Sequence, residues 1–285
     1  MLHVEIQAEP LLQIGPLTFT NSMVGALLTT VLLLLAAWFF LRRASLVPSR
    51  VQSLVEFPIE WTAQIVKANG GTHWRSFAPL VVTIFIFVLL ANWIGLLPGV
   101  GTIGYHEIVD GEEVLVPFVR PASADLNFTL GLALVSFFAF IGLGVRKGGI
   151  GAYLKHTFIA EPAYMTPLMT PIHIISELSR LISLSFRLFG NVFAGEVLLA
   201  TMLFLTTAVV FVLPLAFFVP AVFLSLELVF GFVQALVFAF LTMAYIVLAL
   251  PEHEEHQEHA GPDAEAAPPP TNSTHSTADP AHGAA

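Results

Sequence analysis

The reading turns on Ile182-Ser183-Leu184-Ser185-Phe186-Arg187-Leu188-Phe189-Gly190-Asn191-Val192-Phe193-Ala194-Gly195-Glu196. An arginine and a glutamate stand here inside an apolar stretch that runs from Pro171 to Leu213. As one helix that stretch would be roughly 64 Å long at 1.5 Å per residue, about twice the ~30 Å hydrocarbon thickness of a bilayer. After Pro214 and Pro220 a second long run follows, Ala221–Leu250. Two such helices must be strongly tilted or broken to stay within a membrane. The simpler arrangement is a tilted antiparallel hairpin turning near Pro214–Pro220.

Outward from this hairpin the chain reads as membrane-embedded throughout. Of its 285 residues 56% are hydrophobic and only 11% charged, against roughly 25% charged in soluble domains. Three uncharged stretches, Met23–Leu41, Pro79–Pro98 and Leu126–Val145, approach the ~20 residues of an ordinary span. Val51–Ala68 mixes apolar residues with Glu56, Glu60 and Lys67 and reads as an interfacial helix anchored by Trp61. The fold class is therefore an all-α polytopic membrane protein: three ordinary spans, one interfacial helix and a hairpin of two long, strongly tilted helices. Residues 23–250 form one membrane domain behind an N-terminal segment, 1–22. In the loop Gly99–Pro121, the Asp110-Gly111 step suggests a hairpin turn, with an irregular loop as the alternative.

Basic residues orient the spans. Arg42, Arg43, Arg50, Lys67 and Arg75 lie between the first two spans, and Arg146, Lys147 and Lys155 follow the third. That side is expected to be cytoplasmic. The N-terminus is then outside, with the loop whose Glu107, Asp110, Glu112 and Glu113 accompany a single Arg120. Five crossings bring the C-terminus into the cytoplasm. No Lys or Arg precedes Arg42, which argues against a cleaved secretory signal or a transit peptide and points most simply to a bacterial membrane. The tail Pro251–Ala285 is Glu, His, Pro, Ala and Ser, too poor in apolar surface to offset its ordering entropy, and is expected to be disordered. His253, His256 and His259 recur every three residues there, as a metal-binding arrangement or, more plainly, as a solvated face. The chain has no cysteine, which excludes disulfides and thiolate chemistry.

Five charged side chains fall within the hairpin: Glu177, Arg180, Arg187, Glu196 and Glu227. Each costs about 2.5–3.5 kcal/mol at a bilayer centre on insertion scales, so they are expected to face water, protein or an ion path. At 100° per residue, Ser183, Arg187, Gly190, Asn191 and Ala194 share one face, small or weakly polar apart from the arginine, suited to the close approach of a partner helix. Glu196 lies about 180° round. On the second helix Glu227, Gly231, Gln234, Phe238, Leu241 and Tyr245 form one stripe. Plainer readings stand beside these: Arg187 paired with a carboxylate of its own chain, Glu196 and Glu227 as buried neutral acids, Gln234 as a link between helices, and Glu177–Arg180 as a helical ion pair.

The run Ser185–Glu196 resembles the signature of subunit a of F-type ATP synthases. Asn92-Trp93-Ile94-Gly95-Leu96-Leu97-Pro98 is similar to the end of that family's second span, Pro121-Ala122-Ser123-Ala124-Asp125-Leu126-Asn127-Phe128-Thr129 to the opening of its next, and Gln234-Ala235 with Tyr245 to its last helix. The resemblance implies a stator subunit with two ion half-channels, coupling proton flow to rotation and ATP synthesis. Arg187 would be the essential arginine facing the c-subunit ring. Glu196 and Glu227 would be polar groups of the outer half-channel, Asn191, Gln234 and Asp125 would belong to the same path, and Ser183 would lie near Arg187. Some relatives carry histidine where this chain has Glu227. The implied partners are the c-ring, b-type peripheral stalk subunits, the rest of the synthase and the lipid bilayer, with no nucleic acid, no cofactor and no catalytic site in this chain. The rival class is a self-contained ion-coupled secondary transporter, which would call for an internal repeat with paired broken helices; the sequence shows none. An intramembrane metalloprotease would call for His-Glu-x-x-His on a helix, and His253-Glu254-Glu255-His256 has the wrong spacing.

Overall fold

Among the described residues five helices are long and apolar enough to cross a membrane, and a sixth, amphipathic one lies between the first two of them in sequence. The structure is a computed structural model and describes residues 8–15, 17–43, 49–97, 99–101, 103–109, 112–151, 166–208 and 213–250. The helices are α1 (Asn21–Arg43), α2 (Arg50–Asn69), α3 (Trp74–Ile94), α4 (Leu126–Gly148), α5 (Thr166–Ala208) and α6 (Leu213–Leu248). Two antiparallel hairpins precede α1 and α4: β1 (Pro10–Ile14) with β2 (Leu17–Thr20), and β3 (Gly104–Val109) with β4 (Glu112–Pro117).

Local chemistry fixes several boundaries. Asp125 caps α4, accepting the Asn127 N–H at 2.9 Å, and Arg146 and Lys147 occupy the last turn, where cations meet the negative end of the helix dipole. Gly149 then turns the chain at φ 80°, its N–H returning to the Val145 carbonyl at 2.8 Å. Ser49 caps α2 through the Gln52 N–H.

The core is centred on α3. Phe77, Val81, Phe85 and Val88 are fully enclosed along one side of it, and 56% of its span is buried within the chain, against 11% for α1. α1 thus stands at the periphery. Trp61, expected as an interfacial anchor, is half-buried and packs against the core, with ring centroids 6.2 Å from both Phe85 and Phe232. Since lipid tails are as apolar as leucine, helix association also needs polar contacts. Thr129 meets Ser185 at 3.1 Å, Thr242 donates to Ser136 at 3.2 Å, and Asn92 and Trp93 donate to the carbonyls of Gly231 and Leu228 at 3.1 and 3.2 Å. These join α4 to α5, α4 to α6, and α3 to α6.

The hairpin helices differ in extent from the sequence reading. α5 starts at Thr166 rather than Pro171, ends at Ala208 rather than Leu213, and is 43 residues long; α6 starts at Leu213 rather than Ala221 and spans 36 residues. Residues 209–212, between the two helices, lie outside the described residues, and α6 already contains both Pro214 and Pro220. Pro214 is the second residue of α6, where a missing N–H has no ladder partner to lose. Pro171 and Pro220 lie inside their helices, as membrane helices tolerate when neighbours supply a donor to the freed carbonyl. At 1.5 Å per residue α5 is about 64 Å long, so a bilayer contains it only if it lies oblique.

Strand pairing in the loop before α4 runs Gly104↔Pro117 to Val109↔Glu112, as a hairpin turning at Asp110-Gly111 would have it, although those two residues lie outside the described ones. The β1–β2 pair had no forerunner in the sequence reading. Pro98, Lys155 and the whole tail, with His253, His256 and His259, lie outside the described residues.

The strap between β4 and α4 is gripped by two glycines. A Cβ on Gly25 would collide with the Arg120 carbonyl, and one on Gly95 would sit 2.5 Å from the Pro121 ring. Gly131, on the open side of α4, has nothing within 4 Å. Gly25→Val is therefore expected to destabilise the detergent-solubilised protein by about 1–3 kcal/mol, read as a lower melting temperature, and Gly131→Val to leave it unchanged. Equal melting of the two variants would refute the close approach.

Candidate functional site

The α5 helix has two unlike faces. Leu184, Ser185, Leu188 and Val192 are buried against the bundle. Ser183, Arg187, Gly190 and Ala194 are exposed, and a Cβ at Gly190 would meet nothing within 4 Å. Among the described residues no hydrogen bond or ion pair reaches Arg187. The expected face therefore exists, and among the described residues no other element covers it. The carboxylate partner within its own chain, the plainer reading of Arg187, is absent among the described residues.

Asn191 is half-buried on the flank of that face and lines a cavity of about 200 Å³ between α3, α5 and α6. Glu227 of α6 and Asn92 of α3 line the same cavity, whose volume suffices for several waters. Glu227 lies directly on α5: a Cβ added to Gly195 would stand 2.5 Å from Glu227 Oε1 and 2.9 Å from Cδ. Its Oε2 has no hydrogen-bond partner, and neither has Asn92 Oδ1. Buried acceptors left unpaired are costly, so both are prepared to receive a donor from the cavity.

Glu196 is paired from outside the hairpin. Arg120 Nη2 donates to Oε2 at 3.0 Å, and Nε donates to both oxygens at 3.2 Å. The Arg120 side chain is 7% exposed and that of Glu196 28%. Asp125 has both oxygens engaged: Oδ1 accepts the Asn127 N–H, and Oδ2 accepts the Ser22 hydroxyl at 2.5 Å. It joins α1 to α4 at the foot of the strap and is not among the residues lining the cavity.

The stripe on α6 separates into two groups. Gln234 is buried below Gly231, with its Nε2 unpartnered. Tyr245 stands 18 residues from Glu227, about 27 Å along the helix. There the Arg180 guanidinium lies over its ring at 5.2 Å, and Arg180 Nη1 pairs with Glu177 Oε1 at 2.7 Å. Along α5, Arg187 thus stands between two polar groups. Glu177 and Arg180 lie seven to ten residues before it, and Asn191 and Glu196 four to nine residues after it.

Residues 23–247 match the family described as ATP synthase A chain. Similar proteins named ATP synthase subunit a include that of Gloeobacter violaceus, 32% identical over 89% of this chain and 93% of its own length. Those of Magnetococcus marinus (36%, over 83% and 86%) and Helicobacter hepaticus (37%, over 81% and 89%) are also similar. The chain belongs to this family. As an ATP synthase subunit a it is a multi-pass membrane subunit of the stator, serves ATP synthesis and ion transport, and assembles with the rest of the synthase.

Within that framework the hairpin brings together Asn191 and Glu227, sets Glu196 beside Gly195 where Glu227 rests, and leaves Ser183 and Arg187 on the uncovered face. It does not bring Asp125 or Tyr245 to the cavity. Sequence reasoning missed Asn92 and Arg120 as members of the site. Asn92 stood in a motif without a role, whereas Arg120 carried a signal: the one cation of an acidic loop.

The position of Gly195 beneath Glu227 gives a test. Gly195→Ala should cut ATP-driven ion transport of the assembled synthase roughly tenfold, the equivalent of about 1.4 kcal/mol. Adding Glu227→Asp, one methylene shorter, should recover part of the loss. Full transport in Gly195→Ala membranes would show that the carboxylate does not rest on this glycine.

Proposed function

We propose that this chain supplies the synthase with two offset proton half-channels separated by Arg187, which faces a carboxylate on the rotating c-ring. The observation that carries the reading is the exposed Arg187, without a partner among the described residues, on a small-residue face with polar groups on α5 to either side of it. Asn191, Glu196, Glu227 and Gln234 belong to the outer half-channel, around the cavity. Asp125 fixes the outer rim by capping α4 and holding Ser22. Ser183 flanks Arg187 on the route, and Tyr245 with Glu177 and Arg180 belongs to the inner half-channel. Arg42, Arg50, Lys67, Arg75, Arg146 and Lys147 orient the protein in a bacterial inner membrane, with the N-terminus outside and the C-terminus in the cytoplasm. Besides the c-ring, b-type stalk subunits contact the chain from its lipid-facing side.

The mechanism follows from what desolvation and charge do to a carboxyl. Facing lipid, the ring carboxyl must be neutral; beside a guanidinium, its charged form is favoured. Each ring carboxyl therefore releases a proton as it approaches Arg187 and takes one up as it leaves. The half-channels connect these two events to opposite sides of the membrane. One elementary charge moved through 100 mV is worth about 2.3 kcal/mol, so several per turn drive nucleotide chemistry elsewhere in the complex. A guanidinium stays protonated, and as a fixed positive charge it also repels a proton passing straight from one half-channel to the other.

Arg187→Ala is expected to abolish ATP-driven proton pumping in inverted vesicles while the complex assembles normally. Pumping at parental rates by an assembled mutant would defeat this reading.

A further inference from the structure

Glu196 and Glu227 look equivalent in the sequence, but the structure treats them differently. Glu227 faces the cavity, and its Oε2 has no hydrogen-bond partner. Glu196 is not among the residues lining the cavity, and both its oxygens are taken by Arg120. We propose that Arg120 is a positioning residue that withholds Glu196 from the proton relay and leaves Glu227 as the carboxyl that exchanges protons with the cavity. The inference rests on the reading of this cavity as the outer half-channel.

Arg120 is suited to the task because its own backbone is fixed. Its N–H donates to the Asn21 carbonyl at 3.4 Å, its carbonyl lies against Gly25, and the Pro121 ring behind it lies against Gly95. The following turn, Ala122–Ala124, contacts α1, α3, α4 and α5. The guanidinium therefore reaches α5 from a clamped strap, and its planar fork fixes the carboxylate plane as well as its place. A carboxylate held in this way has its plane and place fixed, so it cannot turn to pass a proton along the cavity. Glu227 has no such hold at Oε2: a proton arriving from cavity water adds there, and leaves again from the same oxygen to the next acceptor. Asn191 and Asn92 can orient water beside it but hold no proton themselves. Without Arg120, Glu196 would be free to turn toward Gly195 and Glu227, placing a second negative charge beside the exchanging group.

The experiment is passive proton conductance of vesicles carrying the complete complex, normalised to assembled synthase. It compares the parent with Glu227→Gln, Glu196→Gln, Arg120→Gln, Arg120→Lys and the double variant Arg120→Gln/Glu196→Gln. Glu227→Gln should lose about a hundredfold or more, as for loss of a proton-transfer group, and Glu196→Gln clearly less. Arg120→Gln should lose roughly tenfold, within the range for misplacing a positioned group. Arg120→Lys should recover part of that loss by keeping the charge. The double variant, with no charge left unpaired, should conduct at least severalfold better than Arg120→Gln alone; it also covers the case in which the single variant assembles poorly. Equal losses in Glu196→Gln and Glu227→Gln would overturn the division of labour, as would a double variant no better than Arg120→Gln. Arg187→Ala in the same vesicles separates the two failures. If it pumps, the stator mechanism fails; if it does not pump while the two glutamates behave alike, the role of Arg120 alone fails.

Discussion

Placing the Arg187 guanidinium in hydrocarbon costs about 2.5–3.5 kcal/mol or more, and no carboxylate among the described residues offsets that cost. The remaining architecture serves that exposure. Leu184, Leu188 and Val192 fasten α5 to the bundle by its other side, and Ser183, Gly190 and Ala194 keep the arginine's surroundings low enough for a helix to approach.

Elsewhere the same penalty is met within the chain. Glu177 has Arg180, Glu196 has Arg120, and Asp125 has the Ser22 hydroxyl and a backbone N–H. Hydroxyls inside the bundle pair across helices, Thr129 with Ser185 and Thr242 with Ser136. The contrast sharpens the meaning of the exceptions. Glu227 Oε2 and Asn92 Oδ1 are left without partners, and both residues line the cavity, where water can reach them. Four other buried atoms without a hydrogen-bond partner among the described residues, Asn21 Oδ1, Ser123 Oγ, Glu177 Oε2 and Gln234 Nε2, belong to residues that do not line it.

Much of this was legible in the sequence. Uncharged runs of about twenty residues gave three spans, because hydrocarbon admits few alternatives. Helical periodicity sorted Ser183, Arg187, Gly190 and Ala194 onto one face, because that sorting depends only on spacing. The start of α6 was misplaced because Pro214 was read as a break, although proline is at home in a first turn. The α6 stripe named a face correctly but not its partners: Glu227 and Tyr245 share a side of the helix, yet meet different neighbours about 27 Å apart. Least legible was Arg120–Glu196, joined across 76 positions. Nothing local announces such a pair. Only the oddity of a lone cation among acids pointed to it, and burial at 7% exposure explains why that cation needed a specific partner.

The length of the hairpin has a physical consequence of its own. Upright, α5 would place Glu177, Arg180, Arg187 and Asn191 one above another along one side, with Glu196 on the opposite side, and polar groups so aligned would invite a continuous water file across the membrane. Laid oblique, as a helix of about 64 Å must be to remain in the bilayer, it displaces the two polar groups sideways as well as in depth. On the proposed reading, the entry and exit regions would then be offset laterally, with Arg187 between them. A proton would pass from one to the other only by being carried, which would convert a leak into obligatory motion of whatever bears the partner carboxylate. On that reading, oblique geometry and an arginine without a partner among the described residues are two parts of one device: the first would separate the paths, and the second would ensure that only a neutralising partner crosses the gap.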